Sequence, residues 1–211
     1  MKGIATENDS FVKENDSFAM ENDTFVIIES DGLVVTEMTE RAAREISRWQ
    51  YGKPYELYDF TGDEEEVAEI MNGYHMAVYD SREYYEKAAG PDRPEDLPRP
   101  FGFIAIGPSA QLQSRLAFSK YRKSDATDVA LGLRPELCGR GEGLGERLLG
   151  AAVNLCLQEF PEDPVRLTVA RSNKRALRLY EKFEFVKMTS LASPVKIGGR
   201  QRVKFFYVLQ K

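Results

Sequence analysis

The stretch from Leu131 to Phe160 constrains this chain most, because three different patterns follow one another within it. A short apolar run at 128–133 leads into it and has the character of a strand. Residues 138–145 then carry a glycine at every second position. Apolar residues next recur at spacings of three and four, as on one face of a helix. A glycine loop at the start of a helix offers unpaired backbone N–H groups to an anion, so the stretch predicts a phosphate-binding loop.

Two common phosphate loops do not fit these residues. A Walker loop needs Lys and then Ser or Thr after its last glycine, whereas Glu146 and Arg147 follow Gly145. The dinucleotide fingerprint needs Gly or Ala at its last position, where this chain has Leu144 or Glu146. What remains is the hexapeptide RGEGLG at 140–145. A glycine-rich turn without a ligand is the alternative for this hexapeptide alone.

A second pattern begins about twenty residues further on. Apolar and polar residues alternate over 165–170, as in a strand, and a helix is predicted from Asn173 to about Phe183. Asn173 and Tyr180 are seven residues apart, so they share one side of that helix, roughly 10 Å apart along its axis. A core tyrosine on an amphipathic helix is the alternative for Tyr180.

Together the two patterns resemble the GNAT acetyltransferase superfamily. RGEGLG is similar to its R/Q-x-x-G-x-G/A signature, and NKRALRLYEKFEF at 173–185 is similar to N-x-x-A-x-x-x-Y-x-x-x-G-F, with Glu184 where the family usually has Gly. The resemblance implies an α/β (α+β) fold with a mixed, mostly antiparallel central sheet flanked by helices. It also implies transfer of acetyl from acetyl-CoA to a primary amine of a small molecule or peptide. A non-catalytic CoA-binding regulatory domain is the alternative.

The resemblance further implies roles for single residues. Tyr180 would protonate the departing CoA thiolate as a general acid, and Asn173 would contact the cofactor arm. The backbone N–H of Leu131 or Leu133 would lie near the thioester and stabilise developing oxyanion charge. The residues expected to hold the diphosphate are Arg140, Gly141, Glu142, Gly143, Leu144 and Gly145.

The acceptor side is less defined in the sequence. Tyr51, Tyr55 and Tyr58 crowd a Gly-Lys-Pro turn, at a position that usually faces the acceptor in this family. We expect them to line a small amine site; a loop anchored by aromatic packing is the alternative. His75, the only histidine, is expected to be structural. The general base is open between Glu37, Glu56, Asp59 and Asp128.

The chain length of 211 residues suits one domain with an extension. We expect the acetyltransferase domain to span 22–211, with a surface insertion at 80–100. Residues 1–21 are predicted to be a flexible extension, because repeats of Glu-Asn-Asp-Ser/Thr-Phe start at Glu7, Glu14 and Glu21 and favour turns over a helix. A partner-binding tail that displays Phe11 and Phe18 is the alternative.

Composition excludes several classes of protein. A net charge of −5 and a pI of about 5.2 argue against a nucleic-acid binder. No apolar run is long enough for a transmembrane helix and no secretory signal is visible, so no membrane partner is expected. The two cysteines, Cys138 and Cys156, fit a reduced cytoplasmic setting, and no Cys/His cluster indicates a metal. A homodimer stays open.

Overall fold

The computed structural model of the chain describes residues 26–88, 97–112, 121 and 126–211. The predicted extension at 1–21 and part of the predicted insertion lie outside the described residues, and the domain boundaries therefore stay predictions. The strands are β1 Val26–Ser30, β2 Leu33–Glu37, β3 His75–Asp80, β4 Gly102–Ile106, β5 Thr127–Leu133, β6 Val165–Ala170, β7 Val186–Ile197 and β8 Arg200–Gln210. The helices are α1 Glu40–Ile46, α2 Glu64–Ile70, α3 Ser81–Ala88, α4 Leu144–Glu159 and α5 Lys174–Lys182.

The eight strands of the described residues form one sheet in the order β1-β2-β3-β4-β5-β6-β8-β7. Only β5 and β6 run parallel; every other pair of neighbours in this sheet is antiparallel. The parallel pair needs a long crossover, and α4 supplies it. The predicted mixed, mostly antiparallel sheet flanked by helices is thus confirmed.

Helix α4 lies on one face of the sheet and forms the centre of the core. Its predicted apolar stripe is buried, with Leu148, Leu149, Ala152 and Cys156 at most 1% exposed. They pack with buried strand residues from β2, β4, β5 and β6. The position of the helix start is fixed by Arg147, which donates to the carbonyls at the β1–β2 turn and to a carboxylate on β3.

Helices α1 and α2 enclose a separate cluster around Trp49, which is 3% exposed. Each begins at a capping residue, because a side-chain oxygen of Thr39 or Asp63 accepts a backbone N–H of the first turn. The acidic run that follows Asp63 therefore lies in the first turn of a helix, where negative charge suits the dipole. Within the described residues, no helix is long and apolar enough to cross a membrane.

Two details of the backbone are not evident from the sequence. Strand β7 continues to Ile197 although Pro194 lies within it, which is tolerated because β7 is at the edge of the sheet. After α5 the chain turns through Glu184 at a φ of 64°. Glu184 therefore adopts the left-handed conformation that glycine adopts more readily, at a cost of roughly 1 kcal/mol for a residue with a side chain.

Candidate active site

The site begins where the two parallel strands separate. Strands β5 and β6 pair only over Thr127–Val129 and Val165–Leu167. Beyond these residues β5 continues with β4, and β6 continues with β8, so the two strands diverge. A cleft of about 730 Å³ opens at the divergence and is lined by the second half of β5. Backbone groups on this edge of β5 are therefore open to a ligand rather than to β6.

The predicted glycine loop forms one end of this cleft. Gly139, Gly141 and Gly143 have φ values of 77°, 76° and 71°, a conformation that favours glycine. Gly143 is the N-cap of α4, and no side chain caps that helix. Gly145 lies close to α5, since a Cβ there would be 3.4 Å from the Cδ2 of Leu179. The loop therefore presents uncapped helix N–H groups to the cleft, as an anion site requires.

Asn173 and Tyr180 reach the same cleft from α5. The Oδ1 of Asn173 accepts the Ala176 N–H at 3.1 Å and so caps the helix. Tyr180 is 8% exposed, and its burial, together with the nearby Tyr58, raises the pKa of its hydroxyl above the ordinary value of 10.0. The phenol therefore holds its proton throughout the neutral range.

The three predicted acceptor tyrosines also line the cleft. The hydroxyl of Tyr58 accepts the Ala170 N–H at 3.3 Å, which joins this loop to the end of β6. Burial raises the pKa of both Tyr51 and Tyr58. The ring of Tyr55 lies 4.5 Å from the guanidinium carbon of Arg175. The aromatic loop is therefore packed and also lines the cleft, and its contact with an acceptor stays a prediction.

Of the four candidate bases, Asp59 alone lines the cleft. Its Oδ1 accepts the N–H groups of Tyr51 at 2.6 Å and Gly52 at 3.1 Å. Asp128 is 4% exposed and makes two 2.6 Å bonds to Arg166, an arrangement that occupies both carboxylate oxygens. The remaining two, Glu37 and Glu56, do not line the cleft.

Among the other side chains that line the cleft, sequence reasoning missed Phe103, Cys138 and Arg175. The ring of Phe103 occupies the space beside Gly132, where a Cβ would clash with it. The thiol of Cys138 contacts the Leu133 carbonyl, and burial raises its pKa. Arg175 lies within the second motif, two residues after Asn173, so its place near the cleft could have been predicted from the sequence. No pattern in the sequence points to Phe103 or Cys138.

His75 does not line the cleft. Its ring lies 6.1 Å from that of Phe103, and burial lowers its pKa to about 4. Among the described residues no group of three or more His, Cys, Asp and Glu side chains could hold a metal ion.

An uncapped helix start that lines a cleft between diverging strands suits a ligand that carries phosphate groups. The family model described as "Acetyltransferase (GNAT) family" matches residues 65–185, and the chain belongs to that family. Acetyl-CoA is therefore the acetyl donor and an amine the acceptor, which confirms the predicted class of enzyme and its cosubstrate. No curated protein sequence matches the chain.

Solved structures share the fold at low identity. An acetyltransferase of the GNAT family from Bacillus anthracis is 11% identical, with a TM-score of 0.55 over 86% of this chain and 96% of that one. The putative acetyltransferase yncA from Salmonella typhimurium, solved with acetyl-CoA, is 12% identical, with a TM-score of 0.52 over 85% and 93%. NAA60 from Arabidopsis thaliana, solved with a bisubstrate analogue, is 18% identical, with a TM-score of 0.53 over 85% and 97%.

Proposed function

We propose that the chain acetylates a primary amine of a small molecule or peptide by direct transfer within the β5–β6 cleft. The observation that carries this proposal is that Tyr180 and the whole loop at 140–145 line one cleft, although they belong to different motifs. A domain that only bound CoA would need the loop but not a buried tyrosine facing the same space. A cytoplasmic location, and the absence of membrane and nucleic-acid partners, stay predictions.

The donor side follows from charge and backbone geometry. The diphosphate binds the uncapped start of α4, with Arg175 beside the loop as a cation. Asn173 is assigned to the carrier arm, and the backbone N–H of Leu131 or Leu133 on the open edge of β5 is assigned to the acetyl carbonyl. Such a donor stabilises the charge that develops on that oxygen during transfer.

The proton transfers are assigned to two residues of the cleft. The amine nitrogen bonds to the acetyl carbon as the carbon–sulfur bond breaks, and Tyr180 gives its proton to the leaving sulfur. Asp59 takes the proton that the ammonium loses before it attacks, directly or through a water, since it is the candidate base that lines the cleft. Its second oxygen is the one to do so, because Oδ1 is held by two backbone N–H groups. The second proton leaves the nitrogen of the new amide and returns to the phenolate of Tyr180, which restores the acid.

The acceptor side suits a cationic amine. Tyr51, Tyr55 and Tyr58 line it together with the carboxylates of Asp59 and Glu66. Carboxylates attract an ammonium group, whereas the Tyr55 ring is already covered by the Arg175 guanidinium. A protonated amine is therefore drawn to Asp59 and Glu66 before it loses its proton.

The test is CoA release measured with a panel of amines, peptides and amino sugars. At least one class should give turnover that saturates with both substrates. A crystal structure with acetyl-CoA should place the diphosphate at 140–145. Release of CoA without an acetylated product, or a diphosphate bound elsewhere, would contradict the assignment.

A further inference from the structure

The hairpin of β7 and β8 carries an apolar surface that the active site does not use. Directly opposed residues of antiparallel strands share a face, which places Pro194 beside Val203 and Ala192 beside Phe205. Val203 is 63% exposed and Phe205 is 55% exposed. We call this surface the hairpin face and define it by Ala192, Pro194, Val203, Phe205 and Tyr207.

Cations border the hairpin face. The guanidinium carbon of Arg171 lies 5.6 Å from the Phe205 ring and 5.3 Å from the Tyr207 ring, and the Lys187 ammonium lies 4.2 Å from Tyr207. Residues 186–210 contain five Lys and Arg but no Asp or Glu, in a chain of net charge −5. Two such faces would repel each other, so the face fits an acidic partner with apolar anchors rather than a second hairpin.

The chain itself contains a segment of that chemistry. Residues 7–25, outside the described part, hold six acidic residues and one lysine, and each repeat ends its Glu-Asn-Asp-Ser/Thr run with Phe. We propose that the hairpin face binds the first repeat, Glu7–Lys13, of the same chain. Phe11 packs against Val203 and Phe205, and the acidic residues of the repeat lie beside Arg171 and Lys187.

Chain length selects the first repeat. The anchors Val203 and Phe205 lie on β8, six strand spacings from β1, which separates them from β1 by roughly 29 Å at about 4.8 Å per strand. Phe18 precedes Val26 by eight residues and reaches at most about 26 Å at ~3.3 Å per residue, whereas Phe11 precedes it by fifteen and reaches about 50 Å. Within one chain, Phe11 therefore reaches the hairpin face with slack, whereas Phe18 would need a fully extended and straight path.

The test is zero-length cross-linking of the full chain with a carbodiimide. The sample is an equal mixture of nitrogen-15-labelled and unlabelled protein. A carboxylate of Glu7 or Asp9 should become linked to the Lys187 amine. Both peptides of each linked pair should carry the same nitrogen isotope, because the link forms within one chain. Phe11→Ser and Phe205→Ser should each lower this yield about fivefold, as expected for the loss of an apolar anchor. Phe18→Ser and Leu157→Ser, the latter at an α4 side chain that is 50% exposed, are the matched controls and should leave the yield unchanged.

Three results would overturn the proposal. Mixed-isotope links would assign the face to the repeat of a second copy. Equal linking of the repeat to Lys53 and Lys87 would show no specific docking. Binding of a single-stranded oligonucleotide at physiological salt, abolished by Arg171→Ser, would assign the face to nucleic acid. Turnover is measured on every variant and should not change, because the hairpin face does not line the cleft.

Discussion

Arg175 and Tyr55 join the two halves of the cleft, with the guanidinium carbon 4.5 Å from the centroid of the ring. Arg175 also touches the donor side, since its Nη1 is 3.0 Å from where a Cβ of Gly139 would lie. One cation thus lies between the glycine loop and the acceptor wall. An anion bound at the loop is within reach of the same group that stacks on Tyr55.

Replacing Arg175 should therefore weaken donor binding. We expect Arg175→Gln to raise the KM for acetyl-CoA about tenfold, because a hydrogen bond to a charged group contributes about 1.5–3 kcal/mol. The KM for acetyl-pantetheine, which lacks the diphosphate, should not change. Arg178→Gln, on the same helix but outside the cleft lining, is the control. An equal effect on both donors would point to a structural role for Arg175.

The assigned acid can be tested by removing one oxygen atom. Tyr180→Phe should lower kcat about a hundredfold or more while acetyl-CoA still binds, since general acid catalysis contributes factors of this order. Tyr84→Phe, at a buried tyrosine in another cluster, is the matched control. Because burial raises the pKa of Tyr180, the wild-type rate should show no decline from its ionisation up to about pH 10. An unchanged kcat in Tyr180→Phe would remove it from the mechanism.

A matched pair of variants can distinguish the loss of an anion site at the glycine loop from the general effect of backbone strain. Gly143 and Gly199 both have positive φ, at 71° and 76°, and neither has an atom within 4 Å of its missing Cβ. Gly143→Ala and Gly199→Ala should each cost about 1–2 kcal/mol of stability in denaturant unfolding. Gly143→Ala alone should also weaken acetyl-CoA binding in calorimetry. Equal donor affinity in the two variants would contradict an anion site at the start of α4.

The sequence predicts the parts of this site that are local in the chain. The loop at 140–145 and the pair Asn173 and Tyr180 are each set by spacing within one helix start or one helix, which periodicity can detect. Contacts between distant segments leave no such pattern. The residues near Asp128 in the sequence do not show that its carboxylate binds Arg166. The sequence therefore leaves both Asp128 and Asp59 as candidate bases.

The same limit applies to shape. The ring of Phe103 fills the space beside Gly132 because β4 and β5 are paired there, which only the register of the sheet shows. The sequence likewise does not show the full length of β7, because a proline usually ends a strand. Pro194 is tolerated within β7 because this strand lies at the edge of the sheet.

His75 should make stability depend on pH. Burial holds its pKa at about 4 in the folded chain, against an ordinary 6.5, so between these values the unfolded chain binds more protons. Stability is therefore fully present above about pH 6.5 and is lost as the pH falls towards 4. From pH 7 to pH 5 the free energy of unfolding should fall by about 1–2 kcal/mol through this group.

The measurement is urea unfolding of wild type and His75→Gln at both pH values. His75→Gln should lose less stability than wild type between pH 7 and pH 5, because glutamine does not titrate and only the carboxylates common to both proteins remain. Asp63 and Glu64 also have pKa values lowered by their own partners, but they are present in both proteins. The difference in stability loss between wild type and His75→Gln therefore reports on His75 alone. The same loss in both proteins would mean that the imidazole is charged in the folded chain at pH 5, and that the packing of His75 near Phe103 does not exclude water.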